Sequence, residues 1–101
     1  MPTMMVRYKA AEAGVPEVLG AVEAAFAALK ARGPEGVRFA YYRRPGTSEF
    51  VALLELDAGV ENPLPGIEAA RGLQATVARW AMGTAPSPEP LELIASHDSR
   101  R

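Results

Sequence analysis

The stretch Val37–Asp57 reads VRFAYYRRPGTSEFVALLELD. Two runs rich in aromatic and β-branched residues, Val37–Arg43 and Glu49–Asp57, flank the turn-forming segment Arg44-Pro45-Gly46-Thr47-Ser48. Strand formers on both sides of a short Pro/Gly/Ser loop predict a β-hairpin. Side chains alternate along a strand, so Val37, Phe39 and Tyr41 share one face of the first run, and Arg38, Ala40, Tyr42 and Arg44 the other. In the second run Phe50, Ala52, Leu54 and Leu56 form one row and Val51, Leu53 and Glu55 the other. Neither row of this second strand is simply polar. A strand apolar on both faces is ordinarily covered on both. The chain's own helices can cover one face, and a second subunit is the economical cover for the other.

Outward from the hairpin, the chain alternates strand and helix patterns. Met4–Ala10 reads as a strand, with Met4, Val6 and Tyr8 on one face and Met5, Arg7 and Lys9 on the other. Pro16 suits the first turn of a helix that runs to about Arg32, with Val18, Val22, Phe26 and Leu29 as its apolar stripe. Lys30 and Arg32 suit its last turn, and Gly33-Pro34 ends it. After the turn-rich stretch Ala58–Gly66, a second helix is predicted from about Ile67 to Met82, with Ile67, Ala70, Leu73, Val77 and Trp80 on one face. A last strand is predicted at Leu91–His97, followed by a frayed tail at Asp98–Arg101. The order β-α-β-β-α-β predicts a ferredoxin-like α+β fold: a four-stranded antiparallel sheet, two helices on one face, the second and fourth strands at the edges.

Composition narrows the function classes. A chain of 101 residues fits one domain, read here as residues 1–101. A domain this small often gains stability from a partner subunit, so a homodimer is expected. Eleven basic and twelve acidic side chains give a net charge of −1, which makes no electrostatic case for nucleic acid or an anionic membrane. Cysteine is absent, which removes disulfides, thiolate chemistry and Cys-ligated metals. With a single histidine, His97, a multi-His metal site cannot form within one chain. No apolar run reaches the roughly 20 residues that span a bilayer, and the N-terminus lacks the pattern of a signal peptide, so a cytoplasmic protein is expected.

Several stretches together resemble the dimeric α+β barrel superfamily, which includes antibiotic-biosynthesis-monooxygenase-like domains. They are Gly36-Val37-Arg38-Phe39-Ala40, Glu49-Phe50-Val51 with Leu56-Asp57, Asn62-Pro63-Leu64-Pro65, and Arg71 with Gln74. The likeness covers nearly the whole chain and is greatest to small, uncharacterised bacterial members. It implies two sheets packed face to face between subunits to close a barrel. The superfamily includes cofactor-free oxygenases of polyketide quinols, haem-degrading enzymes, dehydratases and proteins without known activity. Neither helix here carries a histidine, which disfavours haem, and no flavin or metal motif is present, so no cofactor is expected. An oxygenase of this kind would use its substrate's own reducing power. The second helix carries Ala69, Ala70 and Leu73 where the resemblance leads us to expect bulkier aromatics. A slimmer helix either widens a pocket or is compensated by Trp80.

The candidate residues follow from the predicted faces. If Val37, Phe39, Tyr41, Phe50, Ala52 and Leu54 face the helices, the rows toward the barrel carry Arg7, Lys9, Arg38, Tyr42, Val51, Leu53 and Glu55. These would floor a half-polar cavity for an apolar or aromatic substrate, in which Tyr42 or Arg38 orients a phenolic or acidic group, Tyr42 moves protons and Arg7, Leu53 and Glu55 contact the ligand. The same side chains could instead form hydrogen bonds and ion pairs across a dimer. His97, the one side chain with an ordinary pKa near neutrality, is the natural general base, or else an exposed or interface histidine. Ser96-His97-Asp98 is no triad, because adjacent strand residues point to opposite faces. Trp80 reads as core or as a ring that stacks on a ligand, Arg43-Arg44 as edge-strand charge or a grip for an anion, and Arg71 as a carboxylate ligand or the partner of Glu68. Asn62 with Pro63-Leu64-Pro65 forms either a lid or a rigid connector. Three functions remain open: a small-molecule-transforming protein resembling a cofactor-independent monooxygenase, a non-catalytic ligand-binding or structural dimer, or a stress or regulatory subunit that needs a partner protein.

Overall fold

The computed structural model describes residues 3–83 and 86–97. The elements run β1 (Thr3–Lys9), α1 (Val15–Arg32), β2 (Val37–Arg43), β3 (Glu49–Leu56), α2 (Glu68–Trp80) and β4 (Glu89–Leu91), with short 3-10 turns at Glu12–Gly14 and Leu64–Gly66. The strands form one antiparallel sheet in the order β2-β3-β1-β4, the ferredoxin-like arrangement with β2 and β4 at the edges.

The hairpin forms as its sequence dictates. β2 and β3 pair from Val37 opposite Leu56 to Arg43 opposite Phe50. In the turn Gly46 takes a φ of +73°, a left-handed conformation that glycine adopts without steric cost. The Thr47 N–H closes the turn on the Arg44 carbonyl at 3.1 Å. The Thr47 hydroxyl donates to the same carbonyl at 2.8 Å and accepts from the Glu49 N–H at 3.1 Å, which fixes the strand register.

Both helices pack on the face of Phe50, Ala52, Leu54 and Leu56, all of which are buried. α1 carries proline in its first turn and ends at Gly33, whose left-handed backbone lets its N–H reach the Leu29 carbonyl at 2.9 Å. Phe26 lies parallel over Phe39 of β2, ring centroids 5.0 Å apart, and so docks the second half of α1 on the sheet. At the other end Trp80 of α2 packs directly over Gly14, where a β-carbon would fall inside the indole ring. Trp80 is therefore core, as its place on the helix stripe predicts. The core has two clusters, one of Ala10, Val15, Val18 and Phe50, the other of Ala25, Leu73 and Val77. Tyr8, Val22 and Tyr41 pack against both.

The last strand differs from the sequence reading. A strand at Leu91–His97 is expected, but the ladder forms at Glu89–Leu91 and residues 92–97 make none. The register places Leu91 opposite Thr3, Pro90 opposite Met4 and Glu89 opposite Met5. Leu93 and Ile94 are left exposed, Ile94 at 84%. The expected frayed tail at Asp98–Arg101 lies outside the described residues. Among the described residues no helix is long and apolar enough to cross a membrane.

Candidate ligand pocket between the sheet and the second helix

The pairing register brings a patch of the sheet together that the sequence spaces far apart. Val6 and Tyr41 both stand opposite Ala52, and Met4 and Phe39 both stand opposite Leu54. Ala52 is small, so the centre of this patch is thin. α2 faces it with Ala70, Leu73 and Val77, again with a methyl group where a larger side chain could fit. Two slim layers leave a cavity of about 190 Å³, whose wall is completed by Asn62, Leu64 and Pro65 of the loop before α2 and by Pro86 and Pro88. The exposed lining residues Pro65, Gln74, Ala78 and Pro88 mark its mouth. The slim helix therefore widens a pocket. Trp80 does not compensate, because its ring is committed to Gly14.

The lining is apolar apart from Tyr41, Asn62 and Gln74, and no charged side chain is among the described lining residues. Asn62 is the connector of its loop: its Oδ1 accepts the Leu64 N–H at 3.0 Å. Arg71 braces the same loop by donating from Nη1 to the Pro65 carbonyl at 2.7 Å. Tyr41 is held from three sides. Its ring meets Phe39 and Phe50 at steep angles, each with centroids 6.2 Å away, and its hydroxyl lies 2.5 Å from that of Tyr8. Tyr8 in turn stacks on Phe50 at 5.3 Å.

This pair is electrically neutral at ordinary pH. Burial, and then the hydrogen bond to Tyr41, pushes the Tyr8 phenol far above the usual tyrosine range. Burial also pushes Tyr41 up, and the hydrogen bond with Tyr8 partly offsets that rise. The pocket thus offers apolar walls and neutral hydrogen-bonding groups. A charge placed there would lose its hydration without gaining a counter-charge among the described lining residues.

The residues singled out in the sequence lie elsewhere. Arg7, Arg38, Tyr42, Leu53 and Glu55 come together on the opposite, uncovered face of the sheet. There Arg38 pairs with Glu55 at 3.2 Å and with Asp57 at 3.4 Å, and Arg7 pairs with Glu89 at 3.1 Å. Tyr42 is 56% exposed and Leu53 half-buried. His97 is exposed beyond the end of β4 and is not brought to the pocket. The Tyr8–Tyr41 pair is the feature sequence reasoning missed. Its signal was present: both tyrosines occupy helix-facing rows, and a buried phenol needs a hydrogen-bond partner. Only the β1–β3–β2 order shows that each is the other's partner.

No known family model matches this chain, and no curated protein matches it. Two solved structures are similar in fold. Rv0793 from Mycobacterium tuberculosis superposes with a TM-score of 0.72 at 13% identity, covering 96% of this chain and 98% of its own. NE2512, a protein of unknown function from Nitrosomonas europaea, superposes with a TM-score of 0.68 at 17% identity, covering 99% of this chain and 95% of its own. At such identities the likeness carries the fold alone: a compact α+β protein of the same size and element order.

Proposed function

We propose that this protein binds a small, neutral, single-ring apolar or aromatic molecule between the sheet and α2. The observation that carries the reading is the apolar cavity of about 190 Å³ with one pinned phenol in its wall. A dry apolar cavity of roughly 150 Å³ accommodates benzene, whereas drug-sized ligands occupy roughly 300–1,000 Å³, so this volume suits one ring with a short substituent. The resemblance of Gly36–Ala40 and Asn62–Pro65 to antibiotic-biosynthesis-monooxygenase-like barrels is compatible with it. Binding is favoured over turnover because the phenols keep their protons and the described lining has no carboxylate or imidazole to act as a base. The direct test is titration with single-ring probes, followed by amide NMR shifts. Saturable shifts at Ala52, Leu73 and Val77 are expected, and Ala70→Phe, which fills the space, should abolish them while the fold persists. Probes that shift none of these residues sink the reading.

The uncovered sheet face supports a second proposal, a homodimer in a dimeric α+β barrel. Met5, Ala40, Val51, Leu53 and Leu91 form an apolar strip flanked by both signs of charge, Arg7, Lys9 and Arg38 against Glu49, Glu55 and Glu89. A face carrying balanced charges can meet a copy of itself across a two-fold axis, which an all-positive or all-negative face cannot. In that arrangement Arg7, Arg38, Tyr42, Leu53 and Glu55 lie between the sheets, and the exposed Leu93 and Ile94 gain cover. The partner copy is thus the best occupant the surface chemistry offers. Sedimentation should give a dimer at micromolar concentration and a monomer for Leu53→Asp. A wild-type chain that sediments as a monomer removes the barrel.

A further inference from the structure

Resting on the pocket reading above, the hydrogen-bond polarity of the tyrosine pair narrows the ligand class. Among the described residues the Tyr8 hydroxyl has one hydrogen-bond partner, the Tyr41 hydroxyl 2.5 Å away. Two hydroxyls in contact place one proton between them and leave the other O–H free to donate elsewhere. If Tyr41 donated to Tyr8, the spare proton would belong to Tyr8. That half-buried ring is stacked on Phe50, packs against both core clusters and does not line the pocket, so its proton would point away from any ligand there and would have no acceptor among the described residues. If Tyr8 donates to Tyr41, the spare proton belongs to Tyr41, which does line the pocket. A bound molecule can then accept it.

We propose that Tyr8 fixes Tyr41 as a hydrogen-bond donor into the pocket, so that the site selects a neutral single-ring ligand carrying a carbonyl oxygen. Tyr8 is a positioning residue, acting through Tyr41. Phe39 and Phe50 hold the Tyr41 ring edge-on, which keeps its hydroxyl beside that of Tyr8. The absence of charge among the described lining residues disfavours carboxylates and phenolates, which leaves the uncharged oxygen acceptors.

The probes are acetophenone, which accepts a hydrogen bond, and ethylbenzene, which has nearly the same shape and does not. The readout is the ratio of their affinities for the full chain, because a merely loosened pocket weakens both alike. Tyr41→Phe is expected to lower the preference for acetophenone by about fivefold, the worth of one ordinary hydrogen bond, and Tyr8→Phe by a smaller factor that leaves Tyr41 free to turn. A second measurement needs no variant: the carbonyl stretch of bound acetophenone should lie below its value in an apolar solvent. If both probes bind and the ratio is the same in all three proteins, the polarity inference falls and the pocket stands. If Tyr8→Phe does not fold, an unshifted carbonyl stretch in the unmutated protein is enough to overturn the inference. If neither probe binds, the pocket reading fails and takes this inference with it.

Discussion

β3 serves two unlike surfaces with alternate residues. Phe50, Ala52, Leu54 and Leu56 are buried under the helices, while Glu49, Val51, Leu53 and Glu55 are only half covered on the other side. On the helix face the polar groups are few and neutral: the Tyr8 and Tyr41 hydroxyls meet each other, while the Ser48 hydroxyl and the Trp80 indole N–H are buried without a hydrogen-bond partner among the described residues. On the open face the polar groups are charged and meet in cross-strand pairs such as Arg38 with Glu55 and Arg7 with Glu89. Ions stay where water can still reach them, because burying an unpaired charge costs far more than its partner returns. Neutral hydrogen bonds survive burial and gain direction from it. The more chemically conspicuous side chains therefore mark the wet face, and the quieter ones line the cavity under α2.

The contrast can be tested most strongly with neighbours in sequence. Phe50 is 1% exposed and touches both tyrosine rings, so Phe50→Ala should cost about 3–5 kcal/mol in urea unfolding. Val51→Ala, one residue on and on the other face, should cost less than about 1.5 kcal/mol in dilute protein, since it removes fewer buried atoms from a half-covered site. If the loss at Val51 grows with protein concentration, that face is covered by another copy. If it matches the loss at Phe50 at every dilution, the two faces are equally buried and the comparison is wrong.

Most of this architecture was legible because it depends on alternation. The hairpin bounds, both helices and the strand order follow from period-two and period-3.6 patterns with their Pro and Gly punctuation. The last strand was misplaced because Leu91–His97 has the apolar pattern of a strand, while the pairing with β1 falls at Glu89–Leu91, a non-local fact that alternation does not carry. The pocket was legible only in part. Ala70 and Leu73 showed that α2 is slim, but a slim helix leaves space only if the opposing strand residue is small too. The pairing of Val6, Ala52 and Tyr41 depends on register across three strands. A search for titratable groups leads to Arg38, Tyr42 and His97, whereas the pocket is built without charged groups.

The neutral tyrosines give the helix face a pH signature. Both phenols hold their protons in the fold at pH values where an exposed tyrosine, with an ordinary pKa of about 10, releases its own. Below that pH folded and unfolded chains are equally protonated at these positions, and their contribution is constant. Above it the unfolded chain binds fewer protons than the folded one, so stability falls as pH rises, by up to about 1.4 kcal/mol per pH unit for each tyrosine. Unfolding measured between pH 9 and 12 should show this slope, and Tyr8→Phe should flatten it. A slope unchanged in the variant would place the Tyr8 hydroxyl in contact with water.

The smallest effect belongs to the open face. Arg38 reaches two carboxylates, Glu55 and Asp57, but its side chain is 51% exposed. Pairs in such surroundings are screened by water and salt and spend side-chain entropy to form, so Arg38→Ala should cost about 0.2–1 kcal/mol in the isolated chain. The loss should shrink further in molar salt. A cost of several kcal/mol would require that both carboxylates be left unpaired away from water, a condition the open face meets only when a second sheet lies over it. The same substitution therefore reads out coverage: near-neutral in a monomer, and strongly destabilising to a dimer whose sheets meet there. Comparing its effect on unfolding in dilute protein with its effect on subunit dissociation separates a wet edge charge from one enclosed between subunits.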